Sequence, residues 1–363
     1  MSRVRDFADL AGSADAGGIT GRNVVINGAC KVAQRGTSSA GLGGSAPGYT
    51  TVDRWQLSIG STSAGRFTAA QVAVSDLPGF ANAFHLDCTT ADTSIAAGEL
   101  LKMDYKIEGQ DLQRFKKGTA SAEPITISFY MKTNKAFTFM CELDDRDNNR
   151  INSNQFTTST SWTRHEITIP GDTTGTLDDD NNVSFVISLW FHAGSTYTGG
   201  TYSANTWQSR ASSDNMRAVG IGSFFDNTDN DIKVTGLQME LGQNATPFEH
   251  RSFSDELLRC QRYFAELPSF SGPGTGTTDS RGMGSHVVQM RAAPTLGTTG
   301  VLNITDGYSY DRVQSSASVA LIANSPDFSF FNMPNFTSIT GGRIHFGPRD
   351  GSNTNRITLD AEL

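Results

Sequence analysis

The chain has 363 residues, 37% of them hydrophobic and 18% charged, with 37 glycines and a formal net charge of −8. This length accommodates two domains, and the turn-rich, charge-poor composition suits many short strands rather than helical bundles. An acidic balance with no run of Lys or Arg argues against a phosphate-binding surface, so nucleic acid is not an expected partner.

The first 22 residues are small and polar, with one apolar patch at Val4, Phe7 and Leu10. That is too little to fold alone, and an N-terminal arm is predicted. The stretch lacks the apolar core of a secretory signal, and no apolar run reaches the roughly 18 residues of a membrane span. The expectation is therefore a protein made in a cytoplasm, with no membrane span.

From residue 23 the pattern is β. Val24-Val25-Ile26 reads as a short strand ended by the turn pair Asn27-Gly28, and 36–48 reads as a Gly/Ser loop. Strands are predicted at 53–59, 67–74, 83–88, 100–107, 125–131, 137–143, 165–169 and 183–191. Residues 125–131 and 165–169 alternate cleanly, which marks one buried face. Residues 183–191 are almost continuously apolar, which marks a central strand covered on both sides. In IKVTGLQMEL (232–241), Leu237, Met239 and Leu241 share one face, with Gln238 and Glu240 on the other. Ile232 and Val234 have the opposite parity, so a β-bulge is expected at Thr235-Gly236. The predicted fold class is all-β, with a jelly-roll-like antiparallel sandwich over 23–251.

Thr246-Pro247-Phe248 then continues extended. Ser252 or Ser254 is expected to cap a short helix, with Asp255 and Glu256 at its positive end and Leu257, Cys260 and Phe264 along one side. LPSFSGPGTGTTDSRGMGS (267–285) has linker composition, so 252–285 is predicted as helix plus linker. Residues 286–363 carry further short strands. This small C-terminal β domain would gain stability by burying a face against copies of itself.

Several stretches carry a family resemblance. VTGLQMELG (234–242), ATPFEHRSF (245–253) and LLRCQRYF (257–264) resemble the closing segment of a bacteriophage structural-protein family. NVVINGACKVAQRGTS (23–38) followed by YTTVDRW (49–55) resembles the start of the same module, and MRAAPT (290–295) resembles its distal part. The family comprises tail-fibre and other virion appendage proteins described as carbohydrate-binding-like. The resemblance implies a virion protein of the phage tail, a homotrimer. Its arm would dock on other virion proteins, and its sandwich would contact host surface polysaccharide. The alternative is a purely structural part such as a capsid decoration protein, head fibre or tail adaptor.

The candidate sites are few. Tyr197, Tyr202 and Trp207 lie in a Gly/Ser/Thr-rich loop where rings could stack on sugars, and Asn205, Gln208 and Arg210 could supply directed hydrogen bonds. Packing back on the sandwich is the alternative for the rings. Three Asp/Asn clusters, 144–149, 178–182 and 226–231, have the oxygens Ca²⁺ wants; Asp226, Asp229 and Asp231 are the candidate ligands of a structural Ca²⁺. None fits the EF-hand spacing, and ordinary turns use the same residues. Cys30, Cys88, Cys141 and Cys260 lack paired spacing and read as buried free thiols. Glu249-His250-Arg251 with Arg259 and Arg262 reads either as intersubunit ion pairs or as a solvated face. No nucleophile, metalloprotease or nucleotide-binding motif occurs in a suitable setting, so the chain is not expected to be an enzyme.

Overall fold

The computed structural model describes residues 21–44, 48–61, 64–210, 216–307, 311–348 and 355–363. The arm predicted for residues 1–22 lies almost wholly outside them. The chain divides into two compact units, Met1–Phe253 and Ser254–Leu363.

Among the described residues of the first unit the strands are β1 (Ser38–Gly43), β2 (Gly48–Tyr49), β3 (Gln56–Gly60), β4 (Arg66–Ala73), β5 (Asn82–Thr90), β6 (Leu100–Glu108), β7 (Ile125–Thr133), β8 (Thr138–Asp145), β9 (Arg150–Thr157), β10 (Thr163–Ile169), β11 (Val183–Ala193), β12 (Gln208–Ser209) and β13 (Asp231–Leu241), with a one-turn helix α1 (Ser195–Thr198). They form a six-stranded sheet in the order β1-β4-β5-β13-β7-β10 and a seven-stranded sheet in the order β12-β9-β8-β11-β6-β3-β2. The two sheets enclose one core and make a jelly-roll-like antiparallel sandwich. Rings from opposite sheets meet edge to face there: Trp55 with Phe84 at 6.1 Å and Phe129 with Phe156 at 5.1 Å. Each fully buried side chain of this size stabilises the fold by about 1.5–3 kcal/mol.

Strand β13 lies between β5 and β7, and its register slips between Thr235 and Gln238. The bulge expected at Thr235-Gly236 is thus present. Gly236 has φ 67°, and a Cβ there would stand 2.9 Å from the rings of Phe80 and Tyr130. Only glycine meets both demands. The slip lets Ile232 and Val234 before it, and Leu237 and Met239 after it, all enter the core. Gln238 and Glu240, on the other face, are buried as well. Glu240 accepts from the amide of Thr246 at 2.9 Å and its hydroxyl at 2.6 Å, while the Glu249 amide donates to Gln238 Oε1 at 2.8 Å. The extended stretch after β13 therefore roofs its polar face.

Glu249 and Arg251 belong to that roof, which corrects their assignment to intersubunit pairs or a solvated face. Glu249 accepts the amides of Gly21 at 2.6 Å and Asn23 at 2.8 Å. Arg251 donates to the carbonyls of Val25, at 2.9 Å, and Asn23. Asn23 Oδ1 in turn accepts the Met239 amide at 3.1 Å. This clamp also explains why Val24-Val25-Ile26 is not a strand. The segment is buried and extended but bonds to side chains and single carbonyls, not to a ladder. Strand β1 appears inside the predicted Gly/Ser loop, and β9 (RINSNQFT) was missed because its mixed polar residues hide the alternation.

The second unit opens with helix α2 (Phe253–Gln261), carrying Asp255 and Glu256 in its first turn. Cys260 is buried and Leu257 half-buried, but Phe264 lies beyond the helix end and starts a strand. Described strands of this unit are β14 (Phe264–Glu266), β15 (Phe270–Pro273), β16 (Ser280–Ser285), β17 (Thr295–Thr298), β18 (Asn303–Thr305), β19 (Asp311–Val313), β20 (Ala320–Asn324), β21 (Phe328–Met333), β22 (Ile344–Gly347) and β23 (Ile357–Asp360). A three-stranded sheet, β14-β23-β17, and a seven-stranded sheet, β19-β18-β22-β15-β16-β21-β20, share a core that includes Phe270, Ile304, Phe331 and Leu359. The linker predicted at 267–285 instead contains two strands, β15 and β16, which sit in the middle of the larger sheet. Two of its glycines lie under apolar side chains: a Cβ on Gly282 would stand 2.5 Å from the Phe331 ring, and one on Gly284 2.7 Å from Leu267. Close approach of a ring to the backbone produced the composition of a flexible spacer.

Candidate functional site

The sequence candidates lie in the connection from β11 to β13, which crosses the outer face of the seven-stranded sheet of the first unit. Alternate residues of the strands beneath it point away from the core. On β6 these are Lys102 and Asp104, on β8 Met140, Glu142 and Asp144, and on β11 Ser188 and Trp190, placed side by side by the register. All are buried. They form a charged floor around one indole ring.

The carboxylates of the floor are paired chiefly by Arg217 of the connection. Arg217 donates from Nε to Glu142 Oε2 at 2.9 Å and from Nη2 to Glu142 Oε1, and reaches Asp144 at 3.3 Å. Its guanidinium also stands 5.2 Å from the centroid of Trp190, and Lys102 Nζ stands 5.1 Å from the same ring. Lys102 pairs with Asp104 at 3.0 Å, and Asp104 accepts from Ser58 at 2.6 Å and from Ser188. Burial works against ionisation of Asp104, yet Lys102 and the two hydroxyls hold its carboxyl below the usual range. Asp144 goes the other way: burial first, then the Glu142 charge, push it up against the pull of Arg146, Arg217 and Arg210. Burial opposes the charge on Arg217, but the carboxylates raise its pKa above the ordinary arginine value. Asp144 Oδ1 and Trp190 Nε1 are buried with no hydrogen-bond partner among the described residues.

Tyr197 and Tyr202 close over this floor. Both pack, half-buried, against the small cluster of Met140, Trp190 and Ala218, and the Tyr197 ring tilts on Trp190 at 5.3 Å. The Ala218 amide donates to the Tyr197 carbonyl at 2.9 Å, and the Tyr202 hydroxyl accepts the Gln155 amide at 2.9 Å. The Tyr202 ring is thus tied to β9, while the Tyr197 bond closes the connection on itself.

The other candidates are not brought to the pair as ligand groups. Trp207 packs against the main core, stacked on Phe185 at 6.4 Å, with its indole N–H on the Pro170 carbonyl at 2.8 Å. Gln208 pairs with Ile151 on β9. Asn205 is exposed, and its amide donates to Asn154 Oδ1 at 2.9 Å. Arg210 is engaged by Asn149 and by Asp144 at 3.7 Å. Arg217, the residue that organises the floor, was missed. The available signal was the alternation Lys102-x-Asp104, Glu142-x-Asp144 and Ser188-x-Trp190, which marks a covered polar face rather than a solvated one.

The candidate Ca²⁺ ligands do not converge. Asp226 pairs with Lys135 at 2.7 Å and accepts from Asn230 at 2.6 Å. Asp231 pairs with Lys233 at 2.7 Å and lies 3.7 Å from His85, and these partners hold its carboxyl down at about 2, with His85 first, against some burial. The Asp229 amide closes a turn on Asn227. Among the described residues no group of three or more His, Cys, Asp or Glu is placed to hold a metal ion. The clusters at 144–149 and 178–182 likewise close turns, with Asn148 on Asp145 and Asn182 on Asp180. All four cysteines are free and buried, and burial pushes the Cys30 thiol up to about 12.

One further row resembles catalytic machinery. Ser223 Oγ lies 2.8 Å from His192 Nδ1, and His192 Nε2 lies 3.1 Å from Glu99. The serine hydroxyl also accepts the Phe225 amide at 3.1 Å and so caps a 3-10 turn, Phe224–Asp226. His192 and Glu99 are buried, and burial keeps the imidazole below its usual range despite Glu99. The row ties the end of the connection to the sheet.

No protein-family model matches the chain. No curated protein matches it either. Among solved structures, it is similar to the family 11 carbohydrate-binding module of the cellulosomal cellulase Lic26A-Cel5E of Clostridium thermocellum, at 15% identity over 58% of this chain and 100% of that one, with a TM-score of 0.27. It is similar to TmCBM61, solved in complex with β-1,4-galactotriose, at 13% identity over 61% and 99% of the two chains, with a TM-score of 0.28. The tandem CBM22-1-CBM22-2 domain of Paenibacillus barcinonensis Xyn10C shows 10% identity over 89% and 100%, with a TM-score of 0.27. Likeness at these values carries no weight for function, and the sandwich rests on its own strand pairing.

Proposed function

We propose that the chain is a non-enzymatic phage virion protein, a homotrimeric tail-fibre or receptor-binding appendage whose sandwich contacts host surface glycan through Tyr197 and Tyr202. The observation that supports this most is the fixing of these two rings. Both are half-buried on one cluster of Met140, Trp190 and Ala218, Tyr202 is tied to β9 through the Gln155 amide, and the Arg217–Glu142–Asp144 network lies beneath them. Rings held this way lose little freedom on binding a sugar face, so stacking is not spent on ordering the loop. Trp207 and Arg210, which serve the fold, are left out of the binding set. The resemblance of 23–38, 49–55, the motifs within 234–264, and 290–295 to virion appendages supplies the particle context.

The test is binding of the labelled full-length protein to intact host cells and to the same cells stripped of surface polysaccharide. Saturable binding lost on stripping is expected. Equal binding to both would sink the glycan assignment.

A second reading, a purely structural part of the particle, is favoured by a different observation. The motif residues Asn23, Gln238, Glu249 and Arg251 all serve closure of the sandwich. Under that reading stripped and intact cells bind the protein equally poorly.

A further inference from the structure

The seven-stranded sheet of the second unit has one face in its own core and the other in solvent. The inner face supplies Phe270, Ile304, Phe331 and Met333 to the core. The outer face is also apolar. Register places Phe346 of β22, Ser271 of β15, Met283 of β16 and Phe330 of β21 in one row across the sheet. Ile344 and Phe328 flank that row on the same side. Met283 is 58% exposed, Phe346 52%, Ile344 49% and Phe328 40%. Across the four central strands the outward positions carry a single charge, Arg281. A shallow groove of about 440 Å³ runs along the face between Met283 and Phe346.

We infer that this face is a self-association surface, covered by the corresponding faces of the neighbouring copies of the chain in the homotrimer. The area matches what such a contact needs. Large side chains exposed to this extent present roughly 80–120 Å² each, about 400 Å² for the four together. A stable interface buries about 800 Å² per partner, somewhat over half of it apolar, or about 450 Å². The absence of outward carboxylates matters because the chain as a whole is acidic, with a net charge of −8. Two copies meeting here bring no acidic pairs together, and charge depletion at the centre is the composition of an interface core. A three-stranded sheet cannot cover both sides of a seven-stranded one, so an identical sheet is the complementary surface available to every molecule. This inference does not depend on glycan binding, and either can fail alone.

Sedimentation velocity of the full-length protein tests it. Wild type should sediment as an oligomer at micromolar concentration, and the double variant Met283→Asp/Phe346→Asp as a monomer. Both substituted side chains are exposed, and a far-UV circular dichroism spectrum equal to wild type checks that the variant folds. Ile95→Asp, an equally exposed apolar position in the first unit, should leave the oligomer intact. A monomeric wild type overturns the inference, as does a folded double variant that keeps the wild-type mass. Dissociation by Ile95→Asp to the same extent would overturn it too.

Discussion

Arg217→Ala should destabilise the first unit by several kcal/mol. The side chain contributes both hydrogen bonds of a bidentate pair with Glu142 and the closest contact of that network to Asp144 after Arg146. Without it, Glu142 keeps, among the described residues, only Ser153 Oγ at 3.4 Å while remaining fully buried. Breaking one partner out of a buried ion pair costs about 3–5 kcal/mol, because a charge is left without compensation. Loss of the contact with Trp190 adds up to about 2 kcal/mol at a desolvated site. The assay follows from tryptophan placement. All four tryptophans (Trp55, Trp162, Trp190 and Trp207) lie in the first unit, so indole fluorescence reports that unit alone. With a urea dependence of about 2–3 kcal/mol per molar, the midpoint should fall by about 1–2 M. The double variant Glu142→Gln/Arg217→Met should recover much of the loss, since no uncompensated charge remains. A loss below about 1 kcal/mol for Arg217→Ala would show that the pair behaves as an exposed one and would refute the closed floor.

Gly236→Ala should lower the same midpoint by an amount equivalent to about 2–4 kcal/mol, from the left-handed backbone and the crowding of Phe80 and Tyr130; a neutral substitution would contradict the bulge geometry. His165, packed against both Phe129 and Phe156 with burial holding its pKa down to about 4, should make the first unit acid-sensitive. The unfolded chain takes up the proton at about 6.5, so stability is complete above that pH and is lost as pH falls toward 4, by up to about 3 kcal/mol. His165→Phe should flatten this window, whereas the loss tied to Asp231 begins only below its ordinary carboxylate range and extends to about 2. EDTA should leave the melting temperature unchanged, because Lys135 and Lys233 already neutralise Asp226 and Asp231; a drop reversed by Ca²⁺ would restore the metal site.

The sandwich was legible because its core strands alternate or run continuously apolar, and the parity change in IKVTGLQMEL located the bulge. The failures have a common cause. Gly282 sits under Phe331 and Glu249 sits on the amides of Gly21 and Asn23, so residues that look like spacer or surface locally are fixed by partners far away in the chain. The candidate site failed in the same way. Tyr197, Tyr202, Trp207 and Arg210 are neighbours in sequence, but only the two tyrosines share one cluster, while Trp207 turns to the main core and Arg210 to Asn149. Arg217 could not be ranked above other arginines until the register of β6, β8 and β11 placed the charges it pairs.

The central claim is that Tyr197 and Tyr202 form a glycan platform, and calorimetric titration of purified host surface polysaccharide into the full-length protein tests it most directly. Wild type should bind saturably, and Tyr197→Ala/Tyr202→Ala should lose about 1–3 kcal/mol of binding, roughly five- to 150-fold, if the rings contribute as stacked anchors. Binding unchanged in a folded double variant, or no binding by wild type, would contradict the account.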